Sequence, residues 1–183
     1  MGNSGGMAVA RATVTELREF AAEARFTYVD GDADLGGGWS AVYCADQPDG
    51  AAAAALARRT GAPVLAVAYL DSDVGFVEGA TFAGGRWKAL LNREKAEGYE
   101  IPGDRFPVEE ALAGALDWAA AGGLTADPEG VRAVLTGSEV FAEDLAERLL
   151  GALGIAPAAP GEEGAQKTAR RLSHPARLSG PPW

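Results

Sequence analysis

The apolar positions along the chain change their period several times, and each period predicts a helix or a strand. From Val14, apolar residues recur at helical spacing through Leu17 and Ala21. Thr13 and Glu16 stand three residues apart in the order of a capping box, which marks the start of a helix. The pattern therefore predicts an amphipathic helix over about 14–24.

Five segments have the pattern of β-strands, and they lie at 25–29, 39–45, 64–70, 74–82 and 86–92. The third, VLAVAYL, is continuously apolar, which is typical of a strand covered on both faces and predicts the centre of the sheet. Gly84 and Gly85 separate the last two segments and favour a hairpin turn. The final segment, beginning at Arg86, could also continue as a helix.

The helical segments concentrate in the second half of the chain. The alanine-rich stretch 51–59 predicts a crossover helix that ends before Gly61. Pro107 starts a longer helix, and Asp127 followed by Pro128 predicts the cap of a short one. Ser138 is predicted to cap the last helix, whose apolar face consists of Phe141, Leu145, Leu149, Leu150 and Leu153.

This order of elements predicts the α+β class. We expect a small mixed β-sheet of about five strands, an N-terminal helix, one crossover helix and a C-terminal cluster of three helices. The expected organisation is a disordered N-terminus at 1–12, a single α+β domain at 13–155 and a disordered, proline-rich C-terminal tail at 156–183.

The charge and the few reactive side chains exclude several functions. A net charge of −10 and a pI near 4.6 disfavour binding to nucleic acid or anionic lipid. The start of the chain has no signal-peptide pattern, and no apolar run reaches the roughly 18–20 residues of a membrane span, so we expect a cytoplasmic protein. Cys44, the single cysteine, is predicted to be a buried structural thiol, and His174, the single histidine, falls in the predicted tail.

The stretch YVDGDADLGGGW at 28–39 contains the strongest candidates for a metal site, Asp30, Asp32 and Asp34. Compared with the calcium loop of the EF-hand, it has Leu35 where glycine is needed and Ala41 where a carboxylate is needed. We therefore favour a solvated acidic turn, and Asp30, Asp32 and Asp34 are kept as candidate metal ligands.

The segment TYVDGDADL resembles the strand and D-x-D motif of the haloacid-dehalogenase phosphatases. That resemblance implies Asp30 as a nucleophile and Asp32 as an acid, with Mg²⁺ shared with Asp71 and Asp73. The sequence departs from the family pattern at Asp34, where the family has threonine or valine, and no lysine lies between residues 32 and 71. The predicted topology also makes the two acid-bearing strands antiparallel, which places their ends at opposite edges of the sheet.

Partner binding has its own candidates. Trp39 and Trp87 are aromatic residues of the kind that anchor protein interfaces, whereas helical Trp118 is predicted to be a core residue. With the acidic pair Asp71 and Asp73, they are the candidate partner-binding residues.

Residues 63–112, together with the closing FAEDLAERLLGALGI, resemble uncharacterised actinobacterial proteins of similar size, a family with no known activity to transfer. The function predicted here is a non-enzymatic bacterial protein, immunity-like or regulatory, that binds another protein of basic charge and needs no cofactor. It is expected as a monomer or homodimer. The alternative is a Mg²⁺-dependent phosphatase or related hydrolase that uses Asp30 and Asp32.

Overall fold

The computed structural model describes residues 4–24, 26 and 29–155, and of Asp30 only the backbone. The strands are Gly6–Arg11 (β1), Val29–Gly36 (β2), Trp39–Cys44 (β3), Val64–Leu70 (β4), Val74–Ala80 (β5) and Arg86–Leu91 (β6). The helices are Val14–Glu23 (α1), Gly50–Thr60 (α2), Arg93–Gly98 (α3), Val108–Ala121 (α4), Pro128–Thr136 (α5) and Ala142–Ala152 (α6), with a 3₁₀ turn at Gly103–Arg105. The predicted tail at 156–183 lies outside the described residues.

The strands form one sheet in the order β2-β3-β1-β4-β5-β6. The predicted α+β class is confirmed, with an N-terminal helix, a crossover helix and three helices at the end of the described chain. The sheet has six strands, and all of its pairs are antiparallel. It is not mixed, because β1 lies between β3 and β4 and separates the two strands that run parallel to each other.

The strand that sequence analysis missed is β1. The prediction of a disordered start is wrong for Gly6–Arg11, which form a central strand. Met7 and Val9 pack on one face of the sheet, and Ala8 and Ala10 pack on the other. Glycine and alanine have low strand propensity, so this segment is a strand because both of its neighbours pair with it.

Helices cover both faces of the sheet. On one face α1 and α2 pack through Leu17 and Leu56, and on the other face α4, α5 and α6 surround Trp118. The Trp118 indole donates a hydrogen bond of 2.9 Å to the carbonyl of Val64, so the buried ring has a polar partner. No helix in the described part of the chain has the length and apolar character that crossing a membrane requires.

The capping predictions have mixed outcomes. Thr13 and Glu16 form the predicted capping box of α1, and Asp127 caps α5. The prediction for Ser138 is wrong, because α6 begins only at Ala142, with Phe141 in the N-cap position. The Ser138 hydroxyl instead donates to the Asn92 side chain at 3.0 Å.

The acidic stretch is also different from its prediction. Residues 30–34 belong to β2, an edge strand, and the reversal occurs at Gly37 and Gly38, whose φ angles of 61° and 83° suit a tight hairpin. Of the strand predicted at 25–29, Val29 begins β2, and Arg25, Thr27 and Tyr28 lie outside the described residues. The predicted hairpin of β5 and β6 is confirmed, and the short helix α3 follows it.

Candidate protein-binding surface

The aspartates of β2 do not converge on one point. Asp32 forms an ion pair with Arg18 of α1. The Asp34 side chain is exposed and accepts a hydrogen bond of 2.8 Å from the backbone N–H of Gly36. Asp30 lies where the pairing register shifts between Val29 and Gly31, and its side chain is not described. Among the described side chains, no group of three or more metal-ligating residues could hold a metal ion.

The two acidic segments are also far apart. The aspartates of β2 lie at the sheet edge, whereas Asp71 and Asp73 follow β4, and both β3 and β1 lie between these strands. Three strand spacings amount to roughly 14 Å. Mg²⁺ binds its oxygen ligands at about 2.1 Å, so this topology separates the acidic pairs that the phosphatase resemblance would bring together.

The two tryptophans proposed as partner anchors lie in the core. Trp39 is 2% exposed and packs against Trp118, with their ring centroids 5.5 Å apart. Trp87 is 8% exposed and lies directly against Gly114 of α4, where an added Cβ would come within 2.3 Å of the Trp87 Cβ. Neither ring is exposed enough to anchor a partner, so their assignment as surface anchors is wrong. The prediction that Cys44 is a buried thiol is confirmed.

Asp71 and Asp73, in contrast, stand at a junction of three segments. They belong to the turn between β4 and β5, which the Asp73 N–H closes by donating to the Leu70 carbonyl at 2.9 Å. The Asp73 carboxylate accepts hydrogen bonds from Lys95 at 2.6 Å and from the Tyr99 hydroxyl at 2.9 Å. These two hydrogen bonds lower the pKa of Asp73. Lys95 also donates to the Val140 carbonyl at 2.6 Å, so one ammonium joins the turn, α3 and the segment before α6.

Asn92 fixes the same three segments from inside. Its side chain is fully buried, and its amide nitrogen donates to the carbonyls of Asp73 at 2.7 Å and Glu139 at 2.9 Å. Its amide oxygen accepts from the Ser138 hydroxyl at 3.0 Å and from the Glu139 N–H at 3.3 Å. One buried amide thus satisfies four polar groups from two other segments, which holds them in a single arrangement.

The start of α6 completes the junction. The N–H of Ala142 donates to the Ser72 carbonyl at 2.7 Å, and the Ser72 hydroxyl donates to Glu143 Oε1 at 2.8 Å. The other oxygen, Glu143 Oε2, is buried and accepts no hydrogen bond from the described residues. Burial, and secondarily the Asp144 carboxylate, raise the pKa of nearby Glu147. The start of α6 thus carries two carboxylates, Glu143 and Asp144, and one oxygen of Glu143 has a hydrogen-bond donor among the described residues.

Three large apolar side chains project from this junction, and we call them the junction patch: Tyr99, 39% exposed, Val140, 67%, and Phe141, 53%. The Tyr99 hydroxyl and the Val140 carbonyl both bond to the Asp73–Lys95 ion pair, and Phe141 follows Val140 in the chain, so the three residues lie around the same junction. Acidic residues lie next to the patch, namely Asp71, Glu100, Glu139, Glu143 and Asp144, and of these the Glu139 carboxylate is paired with Arg148. The junction thus exposes three apolar side chains beside several carboxylates.

The backbone around the patch is unusual. Among the described residues, four non-glycine residues have positive φ, namely Asp71, Ser72, Asn92 and Glu100, with values from 52° to 61°. All four belong to the segments that form the junction. Left-handed backbone at a residue such as glutamate costs energy, and such residues cluster at functional sites. The chain therefore maintains strain at the place where it exposes apolar side chains.

Only part of this surface is predictable from the sequence. Asp71 and Asp73 were among the candidates, but Tyr99 and Val140 were not. Phe141 was assigned to the buried face of the last helix, which is wrong because α6 begins one residue later. The signal in the sequence was the polar Asn92 directly after an apolar strand, since a buried amide at such a position needs partners from elsewhere in the chain.

A separate cleft of about 550 Å³ lies beside the hairpin turn of β2 and β3, bordered by Arg11, Thr13, Asp34 and the turn glycines. Its helix end is already capped, because the Glu16 carboxylate accepts from the Thr13 N–H at 3.0 Å and from the Thr13 hydroxyl at 2.7 Å. These carboxylates disfavour an anionic ligand there.

The chain is an α+β protein with helices on both faces of an antiparallel sheet. At one junction of its segments it exposes apolar side chains beside acidic ones. In comparisons with known proteins, no protein-family model, curated sequence or solved structure matches it.

Proposed function

We propose that this protein is a non-enzymatic binding protein that recognises a basic segment of another protein at the junction patch. The observation that carries the proposal is the exposure of Tyr99, Val140 and Phe141 on a junction whose segments are held together by the hydrogen bonds of the buried Asn92 side chain. A surface fixed in this way loses little conformational entropy on binding, which favours recognition.

Charge supports the choice of a basic partner. The chain has a net charge of −10, and carboxylates from three segments border the patch, with Asp73 paired to Lys95 and Glu139 to Arg148. Such a field accelerates encounter with a positively charged partner and opposes acidic ones. Aromatic side chains at the centre of a polar rim are the usual anchors of a protein interface.

The class of protein that this proposal describes is a small acidic immunity-like or regulatory protein of bacterial type, acting as a monomer or homodimer without a cofactor. A protein of this class would act by covering a basic surface of its partner. The aspartates of β2 have no part in the proposal, since Asp32 is paired with Arg18 and Asp34 with the backbone of its own strand.

The test is affinity capture from a lysate of the source cells at low salt, with three immobilised baits. The first is the wild type, and the second is the double variant Val140→Ser/Phe141→Ser. Both substituted side chains are exposed, the backbone contact of Val140 remains, and serine suits the N-cap position of Phe141. The third bait is Phe82→Ser, which removes a 63% exposed phenylalanine from the tip of the β5–β6 hairpin.

We expect a basic protein to be retained by the wild type and by Phe82→Ser, to be lost with the double variant, and to elute as salt rises. Retention by all three baits, or no enriched protein at low salt, would contradict the proposal.

A further inference from the structure

The charges of this chain are distributed unevenly along its length. Residues 164–183 contain four basic side chains, Lys167, Arg170, Arg171 and Arg177, and no acidic one. The chain as a whole has 26 acidic and 16 basic residues, so its acidic character comes from the part before residue 164. The same terminal stretch contains the apolar residues Leu172, Leu178 and Trp183. It therefore has the composition expected of a ligand for a surface that exposes apolar side chains beside carboxylates.

The geometry allows this stretch to reach the junction patch. The described chain ends at Ile155, just after α6, and the patch lies at the opposite end of that helix, before Ala142. Eleven helical residues span about 16 Å. Residues 156–166, when extended, span roughly 36 Å, which is twice that distance. Lys167 and the residues after it are thus within reach of the patch on the same molecule.

We propose that the chain's own segment 167–183 binds the junction patch and competes there with the protein partner. Arg170 and Arg171 supply positive charge to the carboxylates beside the patch, and Leu172 covers the apolar side chains of Val140 and Phe141. The regulatory meaning of this contact rests on the proposed function, whereas the contact itself does not. An intramolecular ligand lowers the apparent affinity for every partner and preserves the patch for one that can displace it.

The contact is tested on the full chain by paramagnetic relaxation. A nitroxide is attached at Ser173→Cys, and the wild type is treated with the same reagent as a control, because Cys44 is buried and should take no label. We expect the amide signals of Tyr99, Glu100 and Val140 to be broadened, while those near Phe82 stay sharp. Absence of selective broadening at the patch, or selective broadening elsewhere, would overturn the proposal.

Two controls define the contact. In the spin-labelled chain, Arg170→Glu/Arg171→Glu should remove the broadening, and loss of patch broadening with this variant at unchanged fold supports the assigned charges. Persistence of the broadening would contradict the role assigned to Arg170 and Arg171 in the contact. In a mixture of isotope-labelled wild type and unlabelled spin-labelled chain, the patch signals should remain sharp. Broadening there would assign the contact to a second copy and overturn the intramolecular proposal.

The same variant separates this proposal from the proposed function. If the segment competes with a partner, Arg170→Glu/Arg171→Glu should increase the amount of partner captured by several-fold, and the Val140→Ser/Phe141→Ser change should still abolish capture. Selective broadening without any captured partner would support the intramolecular contact and count against the protein-binding function. Partner capture without selective broadening would support the protein-binding function and overturn the intramolecular contact.

Discussion

The two acidic segments of this protein, residues 30–34 and 71–73, have similar spacing of aspartates and very different surroundings. In β2 the aspartates follow one another along an edge strand, where Asp32 contacts Arg18 and Asp34 contacts its own backbone. In the turn after β4, Asp73 contacts two residues of another segment, Lys95 and Tyr99, and the whole turn packs on the start of α6. The spacing of carboxylates along the chain therefore does not predict a functional site. Whether a site forms depends on which other segments pack against the carboxylates.

The largest expected difference between the two regions is in the loss of stability when a side chain is removed, because the junction has buried hydrogen bonds. Asn92→Ala removes four hydrogen bonds at a fully buried position and places alanine at a φ of 61°, so we expect a loss of about 3 kcal/mol of unfolding free energy. Asp34→Ala in β2 should change it by less than about 0.5 kcal/mol. Urea unfolding measures both. Equal losses would mean that the junction is no more constrained than the sheet edge.

Substitution by glycine should change the unfolding free energy in opposite directions in the two regions. Glu100 has a φ of 58°, and Glu100→Gly relieves this strain, so we expect a gain of about 0.5 kcal/mol after the added freedom of the unfolded chain is subtracted. Asp34→Gly, in an extended strand without positive φ, should lose about 0.5–1 kcal/mol. Thermal unfolding of Glu100→Gly and Asp34→Gly, each compared with the wild type, measures both changes. A loss at Glu100 would show that its side chain contributes more than its backbone costs.

The pH dependence of stability sharpens the comparison at Asp73. Hydrogen bonds from Lys95 and Tyr99 lower the pKa of Asp73 below the ordinary value of an aspartate. A lowered pKa stabilises the folded state above the unfolded value, and this stabilisation is lost as the pH falls through the folded pKa. The melting temperature of Asp73→Asn should therefore lie below that of the wild type at pH 7, and the difference should close below about pH 4. In a Lys95→Met background most of the difference should already be absent at pH 7.

The smallest effect is expected from divalent cations. A ligand that binds only the folded state stabilises it by about 2.7 kcal/mol at a hundredfold excess over its Kd. Since the described side chains form no metal-ligating group, millimolar Mg²⁺ should leave the unfolding of the wild type and of Asp30→Asn/Asp32→Asn unchanged. A rise in the melting temperature that is lost in the double variant would restore a metal site to β2.

The sequence predicts the helices and strands that have a strong hydrophobic period. It does not predict those that form because of contacts with residues distant in the chain. VLAVAYL was identified as a central strand and the capping box of α1 was found, because both signals are local. Gly6–Arg11 and the aspartates of β2 have weak strand propensity, and only pairing with neighbouring strands shows that they are strands: β3 and β4 for the first, β3 for the second.

The candidate site depends on still longer contacts. Ser138 and Asn92 are 46 residues apart, and Ser72 and Glu143 are 71 residues apart. No local pattern specifies such pairs, so Asp71 and Asp73 could be chosen for their charge while Tyr99 and Phe141 could not be recognised as their neighbours. The same limit explains why Trp39 and Trp87 were assigned to the surface, since their burial depends on α4 and the loop that follows it.

The edge position of β2 has a consequence for the behaviour of the protein at high concentration. The outer strand of a sheet exposes N–H and C=O groups that can pair with a strand of another molecule, and charges and bulges oppose this growth. β2 carries alternate aspartates and two register shifts, and the opposite edge, β6, has the exposed side chains of Arg86 and Lys88. We therefore expect the acidic row to oppose the addition of foreign strands at this edge, so that replacing Asp32 and Asp34 with neutral residues should lower the concentration at which the protein aggregates.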